Sequence, residues 1–297
     1  MRRKEYFRYY RIADITIQVE SELPFSHETF HPKFKLFEVN NPGKDTVVVH
    51  HYFALPKINP QTLGEPVYKR SPWLIYKNNG SWIYLGISSL QKRLKEPFYR
   101  MAVFNSNHSR GRLYNKNDYL FRRGALFSLT NFPSDQILLA RILADRKGCF
   151  LHSCGVDFNG KGLLFVGHSG AGKSTMARLL KGKAKILCDD RIILRKYKEG
   201  FKIFGTWSHG TVPDISPESC PLKAIFFLKK SKYNRIVPLN DKKILVKNML
   251  SCVVRPLVTK DWWQKTLDLV DEVITSIPCY ELYFDKSRKV VNFLKSL

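Results

Sequence analysis

The chain has 297 residues, of which 44% are apolar, 13% aromatic and 25% charged. That apolar share excludes wholesale disorder, and the length suggests two domains, each able to bury a core without disulfides or metals. Fifty Lys and Arg against 25 Asp and Glu give a formal charge of +25, and residues 1–130 (21 basic, 10 acidic) and 131–297 (29 basic, 15 acidic) share the excess, which excludes a basic tail.

The N-terminal stretch from Arg2 to Arg11 is basic and aromatic. No apolar h-region follows it, which argues against a secretory signal, and no recognised RNA or DNA motif accompanies it to support nucleic-acid binding. Asp14–Glu20 alternates with the period of a half-buried strand, and Thr46–Phe53 is a β-branched and aromatic run. Trp73–Tyr76 and Trp82–Leu85 flank the loop Lys77–Ser81 and read as a hairpin. His50 and His51 lie in a strand with no metal spacing and are read as structural. Residues 1–128 are thus expected to form a β-rich domain that binds a substrate or partner, with proline-bearing loops at 56–66.

From Ser134, a good N-cap, a helical pattern runs to about Arg146. A strand over 150–158, the turn Asn159-Gly160 and a strand over 162–166 follow. A helix over 173–182, a strand over 184–188, a strand pair within 191–204 and a strand over 224–228 come next. Helices over 241–251 and 262–276, a strand over 280–284 and a last helix complete residues 129–297. No run of about 18 apolar residues would span a membrane, so a soluble, cytoplasmic protein is expected. The six cysteines form no C-x-x-C pair and no zinc spacing, and most sit in apolar runs as small hydrophobes.

Gly167-His168-Ser169-Gly170-Ala171-Gly172-Lys173-Ser174 fits G-x-x-x-x-G-K-[ST] between an apolar strand and a helix. Such a loop aims backbone N–H groups at phosphates, with the lysine on the β and γ oxygens and the hydroxyl on Mg²⁺. Asp189 and Asp190 end the strand after that helix, where a metal ligand or base would lie. Taken alone they read as a solvated turn or N-cap; beside a phosphate loop they read as functional. His152 lies on the strand that hairpins into the loop strand, and on position alone it reads as a core histidine before a catalyst. Gly205–Gly210 reads as a plain turn or as a substrate contact.

Together, His152-x-x-x-Val156, the hairpin, the loop 167–174 and Asp189-Asp190 resemble the catalytic core of HPr kinase/phosphorylase, itself similar to the nucleotide-binding part of phosphoenolpyruvate carboxykinase. The resemblance covers about residues 134–195. Thr175 and Ser153 depart from the family's Glu and Gly, and its second glycine-rich signature is not found. The flanking pieces look like HPr-kinase-like proteins of peptide natural-product pathways, among them the lasso-peptide precursor kinases. The resemblance implies an α/β kinase domain of this P-loop type. It would bind ATP or another nucleoside triphosphate through residues 167–175, with Mg²⁺ on Ser174 and Asp189. Lys173, Asp190 and His152 would be catalytic, and the acceptor would be a hydroxyl, serine of a peptide or protein. A carboxykinase-type lyase and a nucleotide-binding module without transfer chemistry are the rival readings. Nothing in the sequence sets the oligomeric state, and a homo-oligomer stays open.

Overall fold

The computed structural model describes residues 5–70, 73–87, 98–130, 135–256 and 259–295. The expected N-cap Ser134 and the residues Arg2 to Lys4 lie outside them. The chain divides into two compact units, residues 1–138 and 139–297.

The first unit is a nine-stranded sheet of β1 (Tyr6–Ile12), β2 (Ile15–Ser21), β3 (Glu38–Val39), β4 (Thr46–Tyr52), β5 (Tyr68–Arg70), β6 (Trp73–Asn78), β7 (Ser81–Gly86), β8 (Arg100–Phe104) and β9 (Arg110–Asn115). Their order is β3-β1-β2-β4-β9-β8-β7-β6-β5, antiparallel except for β2–β4 and β4–β9. Period-two patterning decides which face is covered: Ile17, Val19, Val47, Val49 and Leu113 are buried, and Gln18, Glu20, Arg110 and Arg112 alternate with them.

Two readings of this half change. The basic aromatic start is strand β1, with Tyr10 and Ile12 buried and a turn through Ala13 and Asp14 at positive φ leading into β2. The expected five-residue loop at 77–81 is a two-residue turn, Asn79-Gly80, with φ of 45° and 74°. Positive φ at both centres is the type I′ geometry that matches strand twist.

The boundary falls later than 128 for a local reason. Asp135, at the head of α2 (Asp135–Ala144), accepts hydrogen bonds from the backbone N–H of Leu129 and Thr130 and from the hydroxyls of Ser128 and Thr130, at 2.8–3.1 Å. That knot ties the start of α2 to the first unit. His51 is also committed there: its Nε2 meets the Leu129 carbonyl at 2.8 Å and its Nδ1 meets the Asn115 amide at 3.3 Å. α1 (Tyr119–Arg123) is the other α-helix described before it.

The second unit holds β10 (Gly148–Phe158), β11 (Lys161–Val166), α3 (Lys173–Leu180), β12 (Lys185–Cys188), β13 (Arg191–Tyr197), β14 (Gly200–Phe204), β15 (Ser219–Lys230), β16 (Arg235–Pro238), α4 (Lys242–Cys252), α5 (Lys260–Ser276), β17 (Cys279–Phe284) and α6 (Val290–Lys295). Its sheet runs β11-β10-β13-β14-β15-β17-β16 with β12 beside β10, and β11 also pairs with β15 in parallel, so part of the path closes on itself. The long β10 makes this closure: residues 148–152 pair with β13, and residues 153–158 pair with β11. One apolar core packs Leu151, Val166, Leu194 and Ile225 with Met249, Trp262 and Val270 of α4 and α5. Another packs Cys154, Phe165 and Phe226 with Met176, Leu180 and Val291 of α3 and α6. Both put β10 and β11 at the centre, so the segments at their ends are rigidly held. No described helix is long and apolar enough to cross a membrane.

Candidate active site

β11 enters the glycine-rich loop and α3 leaves it. Gly170 and Gly172 sit at φ of 80° and 110°, a region that side chains rarely adopt. At Gly172 a Cβ would also lie 2.5 Å from the Phe284 ring, so the sharp entry into α3 needs glycine. The helix ladder starts with the Met176 N–H on the Gly172 carbonyl, leaving the N–H groups of the first turn without helical acceptors. His168, Ser169 and Gly170 are exposed, Gly167, Ala171, Ser174 and Thr175 are half-buried, and Lys173 is buried. The Lys173 ammonium donates to the carbonyls of Gly167 and His168 at 2.8 and 3.0 Å, folded back along the loop. Burial pulls it below the usual lysine range, with Asp190 acting against the shift.

Beside the loop, β10 and β13 place His152 opposite Arg191 in register. Asp190 lies between their side chains: its Oδ1 is 2.7 Å from His152 Nε2 and its Oδ2 is 2.8 Å from Arg191 Nη1. Burial raises the Asp190 pKa, but the His152 hydrogen bond and the charges of Arg191 and Lys173 outweigh it and hold the carboxyl below its ordinary value. Asp190 is therefore an ionised carboxylate with a face left to solvent.

Asp189 is different. It is fully buried, and its two oxygens accept from the backbone N–H groups of Gly210 and Val212 at 2.6 and 3.1 Å. Asp189, expected to hold Mg²⁺, has its carboxylate turned inward, where it anchors the loop after β14. Asp189 and Asp190 form the bend between β12 and β13, in which Asp189 is turned inside while Asp190 keeps a face to solvent. The same loop is fastened by the Thr206 hydroxyl on the Arg191 carbonyl at 2.7 Å, and it carries the buried Trp207 and the exposed His209. The 205–210 segment is thus pinned against the strand ends that bear Asp189 to Arg191.

Arg191 was not among the residues singled out from sequence. The signal available was a cation adjoining the aspartate pair at a strand end. Its Nε–H is buried with no hydrogen-bond partner among the described residues.

Among the described residues no cluster of three His, Cys, Asp or Glu forms a metal cage. Mg²⁺ fits the site without one, since this ion is ordinarily held by one or two carboxylates, water and substrate phosphates. Ser174 at the head of α3 and the outward Asp190 are the side chains whose donor chemistry suits it.

Fold and site together define a mixed α/β protein in which a glycine-rich strand-to-helix loop lies beside a His–Asp–Arg cluster. Residues 131–286, over half of the chain, match the family described as SynChlorMet cassette protein ScmC, and the chain belongs to that family. No curated protein matches it. Among solved structures, the Hpr(Ser) kinase/phosphatase from Coxiella burnetii is similar at 16% identity, with a TM-score of 0.28, over 50% of this chain and 87% of that one.

Proposed function

We propose that the chain is an ATP-dependent kinase that transfers the γ-phosphoryl group to a hydroxyl, serine of a peptide or protein. One observation carries this reading: an ionised, outward Asp190, gripped on one oxygen by His152 and on the other by Arg191, lies within electrostatic reach of Lys173 in the glycine-rich loop. The sequence resemblance of these segments to HPr-kinase-like proteins supports it further.

Phosphoryl transfer asks mainly for positioning and charge neutralisation. The loop N–H groups of residues 167–175 would bind the phosphates, and Lys173 would leave its loop carbonyls for the β and γ oxygens. Mg²⁺, held through Ser174 and the phosphates, would neutralise developing charge. The serine oxygen bonds to the γ-phosphorus as the bond to the bridging β–γ oxygen breaks, and ADP leaves. Asp190 accepts the hydroxyl proton, and His152 orients its carboxylate. The family's description as a cassette protein indicates where to seek the acceptor, among the other products of the same cassette.

The test incubates the full chain with ATP, Mg²⁺ and such an acceptor, and reads phosphoserine by mass spectrometry. Lys173→Ala should abolish transfer, by at least about 10³-fold, while the melting temperature stays within a few degrees. Undiminished transfer in that variant, or turnover that depends on oxaloacetate instead, would overturn the reading.

A further inference from the structure

The first unit carries a groove unrelated to the glycine-rich loop. Its volume is about 540 Å³, within the range that holds peptide side chains or small ligands. The floor is apolar, with Tyr10 and Phe34 buried and in edge-to-face contact, their ring centroids 6.0 Å apart. One wall is the 3₁₀ turn Pro32–Phe37, and the other is the segment after α1. Backbone hydrogen bonds from Ala125 to Glu28, Leu126 to Thr29 and His31 to Leu126 tie the two walls, so the groove is built into the fold.

The charges around it do not cancel. Arg8 pairs with Glu38 at 3.6 Å, which leaves Glu28 as the one carboxylate of the lining without a Lys or Arg beside it among the described residues. Lys35 and Arg123 remain, exposed and with no carboxylate partner among the described residues. Beside them stand two large apolar side chains, Leu36 at 55% and Phe127 at 69% exposure, and the Phe127 ring lies against His31 at 4.6 Å. Scattered exposed apolar residues are ordinary. An exposed aromatic next to a rigid apolar groove rimmed by uncompensated cations is a docking arrangement.

From this charge complementarity we infer that the groove docks an acidic peptide segment that carries an apolar anchor residue. Lys35 and Arg123 meet the carboxylates, and Phe127 with the groove floor receives the anchor. The apolar floor of Tyr10 and Phe34 and the exposed Phe127 ask for an apolar side chain between the charges, which favours a peptide over a nucleic acid backbone. The inference concerns binding by the first unit and stands apart from the transfer chemistry proposed above.

The test uses the full chain and a fluorescein-labelled ten-residue peptide of Asp and Glu with one central Phe, read by polarisation. Lys35→Glu with Arg123→Glu should weaken binding by about tenfold or more, and added salt should weaken the wild type. The control is Lys243→Glu with Lys247→Glu on the exposed side of α4, which changes net charge equally and should retain wild-type binding. Phe127→Ser, and a peptide with Ser in place of Phe, should each lose several-fold. Equal weakening in both double variants would overturn the inference, because the attraction would then be general. Tighter binding of an oligothymidylate through Lys35 and Arg123 would overturn the choice of peptide.

Discussion

Asp135 in the first unit and Asp190 in the second are both carboxylates surrounded by donors, yet burial decides one and charge decides the other. Asp135 is 6% exposed, its donors are neutral groups at most seven residues away, and burial raises its pKa despite the hydrogen bonds from Leu129, Ser128 and Thr130. Asp190 also feels burial first, but His152, Arg191 and Lys173 reverse the shift and keep it low. The first arrangement closes a chain segment with four hydrogen bonds from its own neighbourhood. The second assembles partners from another strand and from the loop around a group that still faces water. A half-buried carboxylate held by cations is what chemistry at a phosphate calls for; a carboxylate saturated by local N–H groups is a knot in the fold.

Substitution at the outward carboxylate should have the largest effect on this contrast. Asp190→Asn keeps the shape but cannot take a proton, so transfer should fall by about 10²–10⁴-fold while Mg·ATP binding persists. Isothermal titration and a transfer assay on one preparation check both halves. Retained transfer would put Asp190 with Asp135 as a fold element. Asp189 should behave in the opposite way although it is the next residue. Asp189→Ala strands the N–H groups of Gly210 and Val212 and should cost about 2–3 kcal/mol in denaturant unfolding. The Mg²⁺ concentration for half-maximal rate should stay unchanged in the folded variant. A large rise in that concentration would restore Asp189 as a metal ligand.

How much of this the sequence discloses depends on whether the signal is local. Asn159-Gly160, with φ of 55° and 81°, joins β10 to β11 as its dipeptide implies, and the glycines at 170 and 172 sit where the loop needs positive φ. The same Asn-Gly signal at 79–80 is masked by Lys77 and Asn78, polar residues that end β6 and make the loop read longer than it is. β1 is hard to read because Arg8 falls on the side of Tyr10 and Ile12 while the apolar Phe7 is exposed; pairing with β2 and β3 makes it a strand. In the site, Asp189 and Asp190 lie in the bend between β12 and β13, and which one faces in depends on the loop 205–212 that holds Asp189. Arg191 opposite His152 is a matter of register between strands about forty residues apart in sequence, and no single segment records it.

The smallest effect concerns His51, another buried titratable group of the first unit. Burial pushes the His51 imidazole down from 6.5 to about 4, against the hydrogen bond to Leu129 that favours its charged form. Its folded pKa lies below its unfolded one, so between about pH 6.5 and 4 the unfolded chain binds the extra proton and acid favours unfolding. The loss is absent above about pH 7 and complete near pH 4. One pKa unit is worth about 1.4 kcal/mol, so lowering the pH from 7.5 to 5.5 should remove on the order of 1.4 kcal/mol through His51. Other groups also titrate in this window, and comparison with His51→Gln removes their share. Glutamine can still donate to the Leu129 carbonyl but cannot titrate. Urea unfolding at both pH values should show a smaller acid loss in His51→Gln, by about that amount. An identical acid loss in the two proteins would mean that His51 is not held neutral, and that the first unit, like the second, carries a charged side chain in its interior.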